Sequence, residues 1–258
     1  MNILNSSSLD MIAFLIQDFV LIFIIYFCVV KLLKSKNGYL PAFFTFSMIS
    51  YLLSGLYWVA FSLLKPEIDR MPFAVDEIAD SAAILLLSTG LVADKKVDRT
   101  ARAGELIFTV MFSLSNVALW ICWSGEWLQD IIFGIPYSYF LWLIIRGIAD
   151  TKPLTSKTVT TLRINSVTIV LLSFLIIILP GSISSVLDVI CYILMFGMLI
   201  WLLIKSIQSK NLYVSALYFF TTIFVSYGCA SVLYDLAILF NISALIIMYL
   251  SLRKEVLK

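Results

Sequence analysis

Residues 11–30 read MIAFLIQDFVLIFIIYFCVV, a run whose only charged side chain is Asp18 and which contains neither proline nor glycine. A helix that crosses the ~30 Å hydrocarbon core of a bilayer needs about 20 residues of this kind. Inside lipid, every backbone N–H and C=O must find its partner within the segment, and every outward side chain must tolerate hydrocarbon. Read outward from this run, comparable stretches recur at 41–64, 73–93, 105–123, 128–146, 163–180 and 184–204. The stretch 211–252 is too long for one ordinary span, and it accommodates two helices with a turn near Ser231 to Asp235. The expected fold is an all-α polytopic membrane bundle of about nine transmembrane helices, with seven to nine as the range. Residues 1–258 form one bundle with no separate soluble domain expected.

Composition agrees with this reading. Of the 258 residues, 62% are hydrophobic and 13% are charged. Soluble domains carry about 25% charged residues, and a compact soluble fold must show much of its surface to water. A water-soluble globule, a disordered tail and a basic nucleic-acid binder are thereby excluded. The chain contains no histidine. That removes His-ligated zinc and haem, Ser-His-Asp and Cys-His nucleophiles, and His proton relays. Cys28, Cys122, Cys191 and Cys229 sit singly in apolar runs, where a thiol packs as a small hydrophobe.

Charge sets the expected orientation. Lys31, Lys34 and Lys36 follow the first run, and Lys95, Lys96, Arg99 and Arg102 follow the third. Arg146, Lys152, Lys157 and Arg163 bracket the loop after the fifth, Lys205 and Lys210 follow the seventh, and Arg253, Lys254 and Lys258 come last. With nine spans all of these share one side, leaving only Lys65 and Arg70 on the other. The positive-inside rule then places the N-terminus outside and the C-terminus in the cytoplasm. The expected location is the cell membrane, specifically a bacterial cytoplasmic membrane. Met1 to Asp10 lacks the basic region of a secretory signal, so the first run is expected to stay as a span.

Eleven of the sixteen acids fall in the opposite half. Asp76 and Asp80 lie one turn apart on one helix and share a face. Asp18, Asp80 and Asp188 would lie on the order of 10 Å inside the outer boundary. A carboxylate there must face water, bind a cation or take up a proton. Asp18, Asp76, Asp80 and Asp188 are therefore the expected ligand- or cation-binding residues of an outward-facing acidic pocket. The competing reading is acids capping helix N-termini at a wet rim. Trp120, Trp123, Trp127, Tyr137 and Tyr139 read as an interfacial aromatic belt. Asn116, Ser115 and Thr221 read as hydrogen-bonding groups between helices. Pro136 and Pro180 are expected to kink or end helices.

Asp94-Lys-Lys-Val-Asp98 is similar to the Asp-rich motif of intramembrane prenyltransferases. Those enzymes hold Mg²⁺ and diphosphate with two such motifs, and here the second candidate supplies only Asp150. Three functions follow as expectations. The first is a sensor or regulatory module with an outer acidic pocket, acting through a cytoplasmic or membrane output protein. The second is a proton- or cation-coupled transporter or channel using Asp18, Asp80 and Asp188. The third is a lipid or prenyl-transfer enzyme using Asp94, Asp98 and Asp150. No cofactor is indicated, and the bilayer itself is the one partner the composition demands.

Overall fold

The computed structural model describes residues 3–32, 39–64, 73–93, 102–228 and 231–256. Among these residues it forms nine α-helices. They are α1 (Ile3–Phe27, widening into a π-helical turn at Cys28–Leu32), α2 (Tyr39–Leu64), α3 (Val75–Ala93), α4 (Ala103–Ser124), α5 (Trp127–Thr151), α6 (Ser156–Ile178), α7 (Gly181–Ser209), α8 (Leu212–Gly228) and α9 (Ser231–Val256). Seven are long and apolar enough to cross a membrane. The other two are α3, whose nineteen residues include Asp76, Glu77 and Asp80, and α8, which has seventeen residues. At ~1.5 Å per residue these measure about 28 and 25 Å, just short of a ~30 Å core. The protein is an all-α multi-pass membrane bundle.

The long stretch 211–252 divides into α8 and α9, as two helices rather than one. Several boundaries differ from the sequence reading, three of them with a local cause. Helix α6 begins at Ser156 rather than 163, because Thr155 caps it by accepting the Thr158 N–H on its hydroxyl. Helix α5 continues past Arg146 to Thr151, because Arg146 finds carboxylates at that depth. Helix α7 runs on to Ser209, where Lys210 takes a left-handed conformation (φ 47°) and its N–H closes on the Ser206 carbonyl. Pro136 sits inside an unbroken α5, while Pro180 does separate α6 from α7.

Packing builds two closed rings that share an edge. One runs α1–α2–α3–α5–α8–α9, and the other runs α4–α5–α8–α7–α6. The shared pair α5·α8 is the axis of the molecule. Twelve of the seventeen residues of α8 are buried, which is why so short a helix is stable inside the bundle. Gly147 lets α5 approach α8 closely, since a Cβ there would overlap the Tyr213 ring. The six-helix ring is filled by Leu21, Phe44, Met48, Ile84, Phe140 and Phe219. Three of its polar side chains are linked as a chain. Tyr51 donates to Asn241 Oδ1 (3.3 Å), and Asn241 Nδ2 donates to Thr222 Oγ1 (2.9 Å). The Thr222 hydroxyl donates to the Phe219 carbonyl (2.6 Å). The five-helix ring is not filled: one candidate cavity lies inside it, and another lies where α3 meets α4, α5 and α8.

Asn116, Ser115 and Thr221 do not bridge helices as expected. Each donates to a carbonyl one turn back in its own helix, at Phe112, Met111 and Leu217. A short polar side chain on a membrane helix finds that carbonyl within its own turn.

Candidate functional site

A cavity of about 290 Å³ opens at the acid-rich end, between α3, α4, α5 and α8. Helix periodicity builds its walls. Glu77 and Ser81 are one turn apart on α3, and Trp120, Trp123 and Ser124 share a face of α4. Gln129, Phe133 and Tyr137 descend one face of α5 beside Asp130, and Tyr227 closes the side from α8. The rim is held by the segment that precedes α3. Gln129 Oε1 accepts the Phe73 N–H (2.5 Å), and Gln129 Nε2 donates to Glu77 Oε1 (3.1 Å). Glu77 Oε2 accepts the Ala74 N–H (3.2 Å). The Ser124 hydroxyl donates to Asp130 Oδ2 (2.5 Å). Trp120 meets Tyr137 edge-on with centroids 5.8 Å apart, and Tyr227 edge-on at 6.0 Å.

This vestibule has aromatic walls and carboxylates on two of its helices. No Lys or Arg among the described residues lines it. Ser81 lines it, and its hydroxyl is buried without a hydrogen-bond partner. Asp130 and Gln129 are each only 9% exposed, so their charge and dipole act in a partly desolvated wall.

The four expected aspartates are distributed as follows. Asp76 and Asp80 do share a face of α3, and Asp80 lies within electrostatic reach of the Tyr51, Tyr137 and Tyr227 hydroxyls. Both are engaged by other groups, and the vestibule is lined by the neighbouring face that carries Glu77 and Ser81. Asp18 is buried on α1 against Gly55 of α2, with both carboxylate oxygens unpartnered. Helix α1 packs on α2 and α9, which keeps Asp18 on a different seam. Asp188 lies half-buried on α7 near Cys191, on the far side of the five-helix ring. The structure therefore does not bring the four together.

The aromatic belt also divides. Trp123, Trp127 and Tyr139 are exposed toward the surroundings, as a belt requires, but Tyr137 is buried, and Trp120 and part of Trp123 line the vestibule. The signal was present as spacing. Positions 120, 123 and 124, positions 129, 133 and 137, and positions 77 and 81 each mark one helical face.

A second cavity, of about 390 Å³, opens at the basic end of the five-helix ring. Phe112, Ser166, Met198, Thr221 and Phe224 separate it from a small space of about 60 Å³ that reaches Trp120 and Trp123. Trp120 stacks on Phe224 at 5.2 Å, and Phe220 lies 4.5 Å from Phe224, so rings close the middle of the column. Beside the inner cavity, α4 and α5 are tied by ion pairs. Arg146 reaches Glu105 (2.8 Å) and Asp150 (3.2 Å), and Arg102 reaches Asp150 (3.2 Å) and Glu105 (3.6 Å). Asp150, the second prenyltransferase-like position, is thus held by two arginines, while Asp94 and Asp98 lie outside the described residues.

Comparison with family models, with curated proteins and with solved structures finds no match to this chain.

Proposed function

We propose that the protein is a membrane-embedded sensor or regulatory module that binds a small organic cation in the acid-end vestibule and acts on an output protein at its basic end. The observation that supports this is the pairing of Glu77 and Asp130 with five aromatic rings around one cavity of about 290 Å³. A ring face attracts a cation by ~0.5–1 kcal/mol when exposed and ~2 kcal/mol when desolvated. The carboxylates add a net charge that a neutral ligand cannot use. The volume is at the low edge of the ~300–1,000 Å³ of small-molecule sites, which suits an ammonium compound of a few carbons. A bare metal ion fits less well, since no group of three or more carboxylate or thiol ligands gathers among the described residues.

Helices α3, α4, α5 and α8 all contribute to the vestibule, and α4 and α5 end in the Arg102–Glu105–Arg146–Asp150 network at the other end. A ligand that draws these helices together selects one of two packings, which is what a sensor requires. Conduction of the cation is less well supported. Its path would cross the closed stack at Phe224 and leave past Lys152 and Arg163, charges of the same sign.

The test is a titration of tetraethylammonium into the protein in phosphatidylcholine nanodiscs, read by Trp120 and Trp123 emission. A saturable change is expected. It should weaken about tenfold in Asp130→Asn, the size of one charge-assisted contact, and persist in Asp18→Asn. Absence of saturation at any concentration up to bulk screening would refute the reading. Asp130-dependent uptake of the same cation into liposomes would replace it with transport.

A further inference from the structure

The inner cavity has a separate chemistry that the proposed cation site does not use. Its lumen is walled by Phe108, Phe112, Leu141, Met198, Leu202 and Phe224. Its mouth carries Lys152 and Arg163 together with the hydroxyls of Ser156 and Thr160. No acidic side chain among the described residues lines it. Lys152 ends α5 in a left-handed conformation (φ 47°) that carries its side chain to the mouth. Arg163 lies two turns inside α6 and rests over the Phe108 ring at 5.2 Å. Among the described residues neither cation has a carboxylate partner. The positive N-terminal end of α6 opens on the same mouth, with Ser156 as its first residue.

Depth decides what kind of molecule fits. From Ser156 to Ser166 the cavity follows α6 for about 15 Å at ~1.5 Å per residue. That is half of the ~30 Å hydrocarbon core, the reach of one leaflet's chain. A close-packed interior holds few voids larger than a water molecule, so a mostly apolar cavity of about 390 Å³ has room for an occupant. We propose that this cavity is a binding site for a single-chain anionic amphiphile. Its phosphate or carboxylate head lies between Lys152 and Arg163 at the basic interface, and its tail runs up the lumen toward Phe224. The molecule enters in the orientation it already has in the leaflet.

A diazirine-tagged long-chain alkyl phosphate in phosphatidylcholine nanodiscs tests this directly. Labelling is expected to saturate and to map to lumen residues of α4, α6, α7 and α8. Dodecyl phosphate and dodecanoate should both compete, and dodecanol, with the same chain and no charge, should not. Arg163→Gln should weaken competition by about tenfold or more, the size of one charge-assisted hydrogen bond. Lys152→Gln, an exposed change that leaves packing untouched, should weaken it in the same direction. Leu202→Trp should block labelling by filling the lumen. The proposal is overturned if labelling fails to saturate and falls on outward-facing Ile164 and Leu171, if dodecanol competes as well as dodecyl phosphate, or if both charge-removing variants bind as the parent does. The readout is independent of the vestibule, so failure of either site leaves the other standing.

Discussion

Replacing Arg146 with methionine removes the most buried charge on the described surface of α5. The side chain is 1% exposed, and its partners Glu105 and Asp150 are 12% and 11% exposed. Both carboxylates then share Arg102, which is 56% exposed and reaches them at 3.6 and 3.2 Å. Breaking a buried pair by deleting one partner costs about 3–5 kcal/mol. The surviving pair with exposed Arg102 returns only ~0–1 kcal/mol. The expected loss is therefore about 3 kcal/mol. Replacing Arg146 and Glu105 together by methionine leaves Asp150 with Arg102, a charge-matched pair. Exchange of a whole buried pair for apolar side chains is often neutral, so the double variant should lose about 1 kcal/mol or less. The assay is reversible unfolding in mixed micelles with increasing SDS, comparing both single variants with the double. If Arg146→Met unfolds within about 0.5 kcal/mol of the parent, or if the double equals the sum of the singles within the ~0.5 kcal/mol of ordinary additivity, the charges are not coupled as argued.

Gly55→Ala places a Cβ on the Asp18 carboxylate and should cost about 1–3 kcal/mol; the same change in an Asp18→Ala background should cost markedly less, measured in the same unfolding assay. Asn241→Leu strands the Tyr51 hydroxyl, while the Thr222 hydroxyl keeps its bond to the Phe219 carbonyl, and should cost about 1–3 kcal/mol. Trp120→Ala should destabilise by about 3–5 kcal/mol as a packed aromatic, whereas exposed Trp127→Ala should change thermal stability little. Cys122 is exposed near the acid-rich end of α4 while Cys28 and Cys191 are buried. A membrane-impermeant maleimide added outside whole cells should therefore label Cys122; labelling only after permeabilisation would reverse the orientation argued from the basic loops.

Composition and apolar run length were enough to read a multi-pass helical bundle, because a bilayer tests each segment alone. Every span must satisfy its own backbone and present lipid-soluble side chains, and both requirements are written locally in the chain. The division of 211–252 into α8 and α9 was legible for the same reason. Helix ends at charges were not. Arg146 and Arg163 look like loop residues in isolation, and only the carboxylates of Glu105 and Asp150 and the ring of Phe108 make their depth tolerable. The acidic face of α3 was visible as periodicity, but which of two adjacent faces lines a cavity depends on what α4, α5 and α8 bring to it. Rotation of one residue, about 100°, separates Asp76 and Asp80 from Glu77 and Ser81. The sequence by itself thus determined that the chain lives in a membrane as a bundle of helices. Tertiary structure alone decided that two rings share α5 and α8, that one ring is filled and the other hollow, and that aromatic rings from α4, α5 and α8 face one space with Glu77 and Asp130. Those outcomes depend on pairwise packing between distant segments, which no single segment encodes.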